Sequence, residues 1–158
     1  MESNTLDAID LQLLDSLQHD ASLSNVALAE KVHVSPPTCL RRVKRLIEGG
    51  WIERQVAILS RDRLGQGLQA MVEVTLDRQG AEHLDAFEAR AVAEAAVQQC
   101  WRVSPGPDFM LVVHAPDMAG YLALTQRLFT QDANVRNVKA FFATKRAKFG
   151  TQQVLPGL

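Results

Sequence analysis

Only three residues, His33, Val34 and Ser35, separate two amphipathic helical patterns, and this joint constrains the fold more than any other feature. The pattern before it is capped by Ser24 and carries Val26, Leu28, Ala29 and Val32. The pattern after it opens on Ser35 as a cap, with Pro36 at the first helical position, where a missing N–H has no helical partner to lose. Gly49-Gly50 ends it. So short a joint makes the two helices cross sharply, as in a helix-turn-helix. A further helix precedes them, capped by Asp7, with Leu6, Ile9, Leu13, Leu14 and Leu17 at helical spacing and a loop at His19-Asp20-Ala21-Ser22.

From Trp51 the period falls from about 3.6 to 2. Ile52, Arg54, Val56 and Ile58 alternate with Glu53, Gln55, Ala57 and Leu59, which predicts a strand or short β-wing. Residues 60–67 read as a boundary, with Gly65-Gln66-Gly67 as a hinge. The remainder reads β-α-β-β-α-β. Its strands are 68–76, 97–103, 109–115 and 135–149, and its helices 81–92 and 117–129. The first strand puts Leu68, Ala70, Val72, Val74 and Leu76 on one face. The first helix turns Leu84, Phe87 and Ala91 inward, and the second Met118, Tyr121, Leu122, Thr125, Leu128 and Phe129. The apolar run 109–115 suggests a central strand covered on both faces. This order predicts an α+β chain in which a winged helix-turn-helix precedes a ferredoxin-like sandwich, four antiparallel strands with helices on one face. The expected organisation is a helix-turn-helix unit at 1–50, a wing and hinge at 51–67, the sandwich at 68–149, and a loosely held tail at 150–158.

A chain of 158 residues, 22% charged and 47% hydrophobic, is neither disordered nor fibrous. No apolar run approaches the roughly 18 residues of a membrane span. The opening Met1-Glu2-Ser3-Asn4-Thr5 lacks the apolar core of a secretory signal, and Cys39 and Cys100 make no disulfide framework. The expected compartment is therefore the reducing cytoplasm. The formal net charge is −1 and says nothing about nucleic acid, but its distribution does. Arg41, Arg42, Lys44 and Arg45 crowd one helix with no acid between Ser35 and Ile47.

On a wheel of about 100° per residue, that helix places Pro36, Leu40, Val43 and Ile47 on one side. Thr38, Arg41, Arg42 and Arg45 fall on the other. The expected arrangement is a core stripe backed by an outward cationic stripe. A helix fits the major groove, where arginine can pair with guanine and threonine can meet the thymine methyl. The first turn of a recognition helix meets base edges. Candidate contacts to double-stranded DNA are therefore Ser35, Pro37, Thr38, Arg41, Arg42 and Arg45. A single module would bind weakly, so a dimer or larger assembly is expected.

Catalytic and metal signatures are missing from the sequence. It holds no phosphate loop, no Ser-x-x-Lys or Gly-x-Ser-x-Gly, and no ligand spacing among His19, His33, His83, His114 and the cysteines. The expectation is a non-enzyme with no metal and no cofactor. The turn Ser104-Pro105-Gly106-Pro107-Asp108 stays open between two roles. Asp108 could satisfy turn amides, or it could receive a ligand ammonium while free N–H groups receive a carboxylate.

Several stretches together resemble the Lrp/AsnC (leucine-responsive, feast/famine) regulators. They are Leu6-Asp7-Ala8-Ile9-Asp10, Leu28-Ala29, the run from Val34 to Leu46, Gly50-Trp51-Ile52, Leu64-Gly65, the run from Ser104 to Leu111, and Pro116-Asp117-Met118. The resemblance extends to about Phe149. It implies a transcription regulator that dimerises through its sandwich, assembles to an octamer, and binds a free amino acid between subunits. Its glycine-x-aspartate loop falls on Gly106 and Asp108 beside Ser104, and its cleft also uses Met118, Phe141, Phe142 and Ala143. Many members have Gly-Asp where this chain has Gly106-Pro107; Pro105 and Pro107 remove backbone donors. The apolar neighbours suggest leucine or methionine as effector. Neighbouring Phe141 and Phe142 must face opposite sides of their strand, leaving one for a partner sandwich to cover. The alternative is an amino-acid-sensing assembly module whose helix-turn-helix serves protein contacts.

Overall fold

The computed structural model describes residues 5–65 and 67–156, in two compact units, 1–58 with 148–158 and 59–147. Met1 to Asn4, the middle of the expected hinge at Gln66, and the last two residues of the tail lie outside the described residues.

The first unit is a three-helix cluster: α1 (Ala8–His19), α2 (Asn25–Lys31) and α3 (Pro36–Glu48). Asp7 caps α1 in a reciprocal box. Its Oδ1 accepts from the Asp10 N–H at 2.9 Å, and Asp10 Oδ2 accepts from the Asp7 N–H at 3.1 Å. Leu13, Leu28, Ala29, Val32, Cys39 and Leu46 form the core. Between α2 and α3, His33 takes a φ of +58°, a left-handed residue that tightens the joint.

One expectation fails in this unit. The wing at 52–59 forms no strand among the described residues. Its alternation is real, but a ladder needs a partner, and Val56, Ile58 and Leu59 stand exposed. The tail, expected to be loosely held, meets α1 at Gln18. Gln18 Nε2 donates to the Gln153 carbonyl at 3.1 Å, and the Gln153 N–H donates back to Gln18 Oε1 at 2.8 Å.

The second unit begins with a short helix the sequence did not announce, α4 (Arg61–Leu64), followed by β1 (Leu68–Leu76). Then come α5 (Ala81–Ala93), β2 (Val97–Arg102), β3 (Phe109–Ala115), α6 (Met118–Thr125) and β4 (Val135–Phe142). The antiparallel sheet runs β2-β3-β1-β4, the expected ferredoxin-like order. One face carries Ala70, Val72, Val74, Leu76, Phe109, Leu111 and Val113 into a core with Phe87, Ala91, Tyr121, Leu124, Leu128 and Phe129.

Three details depart from expectation. β3 is central but covered on one face only, and its alternate residues Met110, Val112 and His114 are half-buried. β4 stops at Phe142 rather than 149 because its partner runs out: the Ala143 N–H makes a closing bond to the Gln69 carbonyl at 2.8 Å, near the start of β1. The second sandwich helix turns Leu124 inward and leaves Met118 and Leu122 exposed. After Thr125 it widens into a π-helical turn, Gln126–Thr130, which brings adjacent Leu128 and Phe129 both into the core.

Candidate functional sites

The recognition-helix candidate, α3, starts as the sequence suggests. Ser35 Oγ accepts from the Thr38 N–H at 3.4 Å and lies 2.8 Å from the Thr38 hydroxyl. Asn25 Nδ2 donates to the Pro36 carbonyl at 2.8 Å, tying the start of α2 to the first turn of α3. Ser35 and Pro37 are exposed, and Thr38 is half-buried.

The orientation of α3 differs from the sequence reading. Its fully buried side chains are Cys39 and Leu46, whereas Leu40 is 61% and Ile47 47% exposed. The wheel is therefore rotated from a stripe through Leu40 and Ile47 to one through Cys39, Val43 and Leu46. That rotation carries Arg42 toward α1, where its side chain is only 21% exposed. Arg42 Nη1 donates to Asp7 Oδ2 at 2.7 Å and to Asp10 Oδ1 at 2.9 Å. Arg45 Nη2 donates to Asp10 Oδ2, with its side chain half exposed. Asp10 itself is completely buried. The expected outward cationic stripe thus splits. Arg41 is exposed with no ion pair among the described residues, and Lys44 meets only the exposed Glu48, at 3.7 Å. Pro37, Leu40, Arg41 and Lys44, spaced i, i+3, i+4, i+7, form the solvent face. Sequence reasoning assigned Leu40 to the core and left Lys44 out of the contact set.

The electrostatics follow from these bonds. The Asp10 N–H and the Arg42 guanidinium hold the Asp7 carboxyl below its usual range, and the two carboxylates push Arg42 up.

The effector candidates fall into two groups. Ser104, Gly106 and Asp108 sit between β2 and β3. Gly106 has φ +125°, a conformation suited to glycine. Asp108 Oδ2 accepts from the Leu76 N–H at 2.7 Å and from Gln79 Nε2 at 3.2 Å, where β1 slips register after Thr75. Its other oxygen has no hydrogen-bond partner among the described residues. A cleft of about 450 Å³ opens here, lined by Gln79, Leu84, Arg102, Val103, Ser104 and Asp108. Arg102 is already engaged by Asp85 and Glu88, at 2.7 Å each.

Met118, Phe141, Phe142 and Ala143 lie at the opposite end of the sheet. Phe142 pairs with Ala70, six residues along β1 from Leu76, a separation of about 20 Å. Phe142 meets Tyr121 edge-on at 4.9 Å on the helical side, while Phe141 opens onto the uncovered face opposite Met71. One of the neighbouring pair on each side is what the alternation required. The two groups do not meet within one chain.

Among the described residues no cluster of metal-ligating side chains occurs, and no helix is long and apolar enough to cross a membrane.

Comparisons with known proteins agree over nearly the whole length. The family model described as the Lrp/AsnC ligand binding domain matches residues 69–153, and a winged helix-turn-helix DNA-binding model matches 6–53. An uncharacterized HTH-type transcriptional regulator of Haemophilus influenzae is 38% identical, over 91% of this chain and 86% of its own. A leucine-responsive regulatory protein of Rhizobium meliloti is 37% identical, over 93% and 94%. The crystal structure of a transcriptional regulator from Neisseria meningitidis in complex with L-Met superposes with a TM-score of 0.88. Its identity is 30%, over 96% of this chain and 98% of that one. A helix-turn-helix used only for protein contacts is not favoured by such relatives.

Proposed function

This chain belongs to the Lrp/AsnC family of transcriptional regulators, and from that premise we infer how its parts are used. α3 enters the major groove of double-stranded DNA. Ser35, Pro37 and Thr38 lead at the groove floor, Arg41 and Lys44 meet bases or phosphates, and Leu40 offers an apolar contact to thymine methyls. Arg42 holds the helix in place, and Arg45 stands at the edge of the contact. The observation that carries this reading is the rotation of α3, which buries Cys39 and Leu46 and leaves Arg41 outward, with no ion pair among the described residues.

The effector is a free apolar amino acid, leucine or methionine. Support comes from the L-Met complex of the Neisseria relative and from exposed Met118 and Phe141. Ser104, Gly106 and Asp108 lie about 20 Å from Met118, Phe142 and Ala143, so a site using both groups takes one from each of two subunits. The uncovered sheet face, with Met71, Trp101 and Phe141 exposed, supports a homodimer through the sandwich and an octamer built from it. The chain acts in the cytoplasm, and we assign it no catalytic step, cofactor or metal.

The experiment is a gel shift of upstream DNA across a salt series, with thermal-shift screening against the twenty amino acids and mass measurement of each hit. Steeply salt-dependent, sequence-preferring binding that a hit alters supports the reading. Binding indifferent to sequence, to salt and to every amino acid contradicts it.

A further inference from the structure

The four cations of α3 stand in two different environments. Asp10 is wholly buried in the first turn of α1, and both of its oxygens are taken. Oδ1 accepts from Arg42 at 2.9 Å, while Oδ2 accepts from the Asp7 N–H at 3.1 Å and from Arg45. Arg42 also reaches Asp7 at 2.7 Å. Two acids and two guanidinium groups thus form a charge-balanced quartet between α1 and α3. A buried ion pair is poor evidence of a stabilising device, because desolvation offsets its attraction. Here the cluster even leaves Arg42 Nε buried without an acceptor among the described residues. What the quartet accomplishes without ambiguity is to subtract positive charge from a helix that carries four cations.

We propose that Asp10 sets how many α3 cations are available to the phosphate backbone, holding Arg42 and Arg45 against α1 and leaving Arg41 and Lys44 to the DNA. This rests on α3 being the DNA-facing helix. Sequence-independent affinity comes almost wholly from phosphates neutralised by lysine and arginine, whereas base contacts carry the sequence information. By restraining two arginines, Asp10 lowers binding to arbitrary DNA more than binding to the cognate site. It is a positioning residue that acts through Arg45 and raises discrimination. Arg45 is the one to be released if Asp10 loses its charge, because Arg42 keeps Asp7.

The test uses the full-length chain, with fluorescence anisotropy on a random duplex and on upstream DNA between about 50 and 200 mM salt. Each available cation contributes about 0.9 to the log–log salt slope, which over that range is about 3.5-fold in affinity per bound helix. Arg41→Gln should flatten the slope by about that amount. Arg45→Gln should leave the slope as it is, because its charge is already matched. Asp10→Asn keeps an oxygen to accept from the Asp7 N–H. It should steepen the slope by about 0.9 per helix and strengthen binding to the random duplex, and Arg45→Gln in that background should cancel the gain. A merely structural Asp10 would weaken both duplexes with no steeper slope, which would overturn the proposal. So would an Arg45→Gln slope as flat as that of Arg41→Gln, a comparison that stands even if Asp10→Asn fails to fold. If neither arginine variant changes the slope, α3 does not meet the DNA, and the underlying reading fails instead.

Discussion

Asp108 carries two candidate roles that a pair of substitutions can separate. Its Oδ2 accepts from the N–H of Leu76, a residue only 1% exposed, at the point where the β1–β4 register slips. Asp108→Ala leaves this donor without an acceptor, at a cost of about 1–3 kcal/mol. In a unit of this size that lowers the melting temperature by roughly 5–20 °C. Asp108→Asn keeps an oxygen where the N–H needs one and should cost less than about 1 kcal/mol. The cleft that Asp108 lines distinguishes them further. If the carboxylate receives an effector's ammonium, the asparagine variant should fold normally yet lose its thermal shift with L-leucine or L-methionine. Differential scanning calorimetry with and without amino acid reads both effects. An alanine variant that melts with the wild type would refute the structural role. An asparagine variant that keeps the full amino-acid shift would remove Asp108 from ammonium recognition.

Other consequences concern the sandwich core, the acid limb and the tail. Phe109 is fully buried, with its ring centroid 4.8 Å from that of Phe87. Phe109→Ala should cost about 3–5 kcal/mol in denaturant unfolding, and a loss under about 1 kcal/mol would contradict that packing. The Asp7 carboxyl titrates below its ordinary 3.8, chiefly through the Asp10 N–H and then through Arg42. A group depressed in this way stabilises above that ordinary value and loses its contribution as pH falls through the folded one. The stability advantage of wild type over Asp7→Asn should therefore shrink below pH 3.8; a gap constant from neutral to acid would refute the linkage. Gln18→Ala should speed hydrogen exchange at the Gln153 amide, and an unchanged rate would show that the tail is held by other contacts.

Much of the architecture was legible because it rests on local rules. Asp7, Ser24 and Ser35 cap helices as their residue types suggest, and the alternation of 68–76 named the core face of β1 correctly. Failures arose where a residue's fate depends on distant parts of the chain. Asp10 looks like any acid in a first turn; its burial depends on arginines 32 and 35 positions later. The core instead takes Cys39 and Leu46, so Leu40 and Ile47, apolar by type, face outward. The segment 52–59 alternates as a strand does, but pattern alone supplies no neighbour. The candidate effector residues were grouped by the family resemblance, and only the strand register shows that they lie at opposite ends of one sheet.

The reading of α3 as a DNA-inserted helix can be tested by affinity cleavage. Cys39 is fully buried, and burial pushes its thiol's pKa up, so it should resist labelling. With Cys100→Ser, an iron chelate placed through Pro37→Cys therefore reports on the first turn of α3 alone. Cleavage confined to the bound sequence, offset between strands as a reagent in the major groove produces, is the predicted result. Binding that persists while cleavage is absent, or spread evenly along the duplex, would contradict the account.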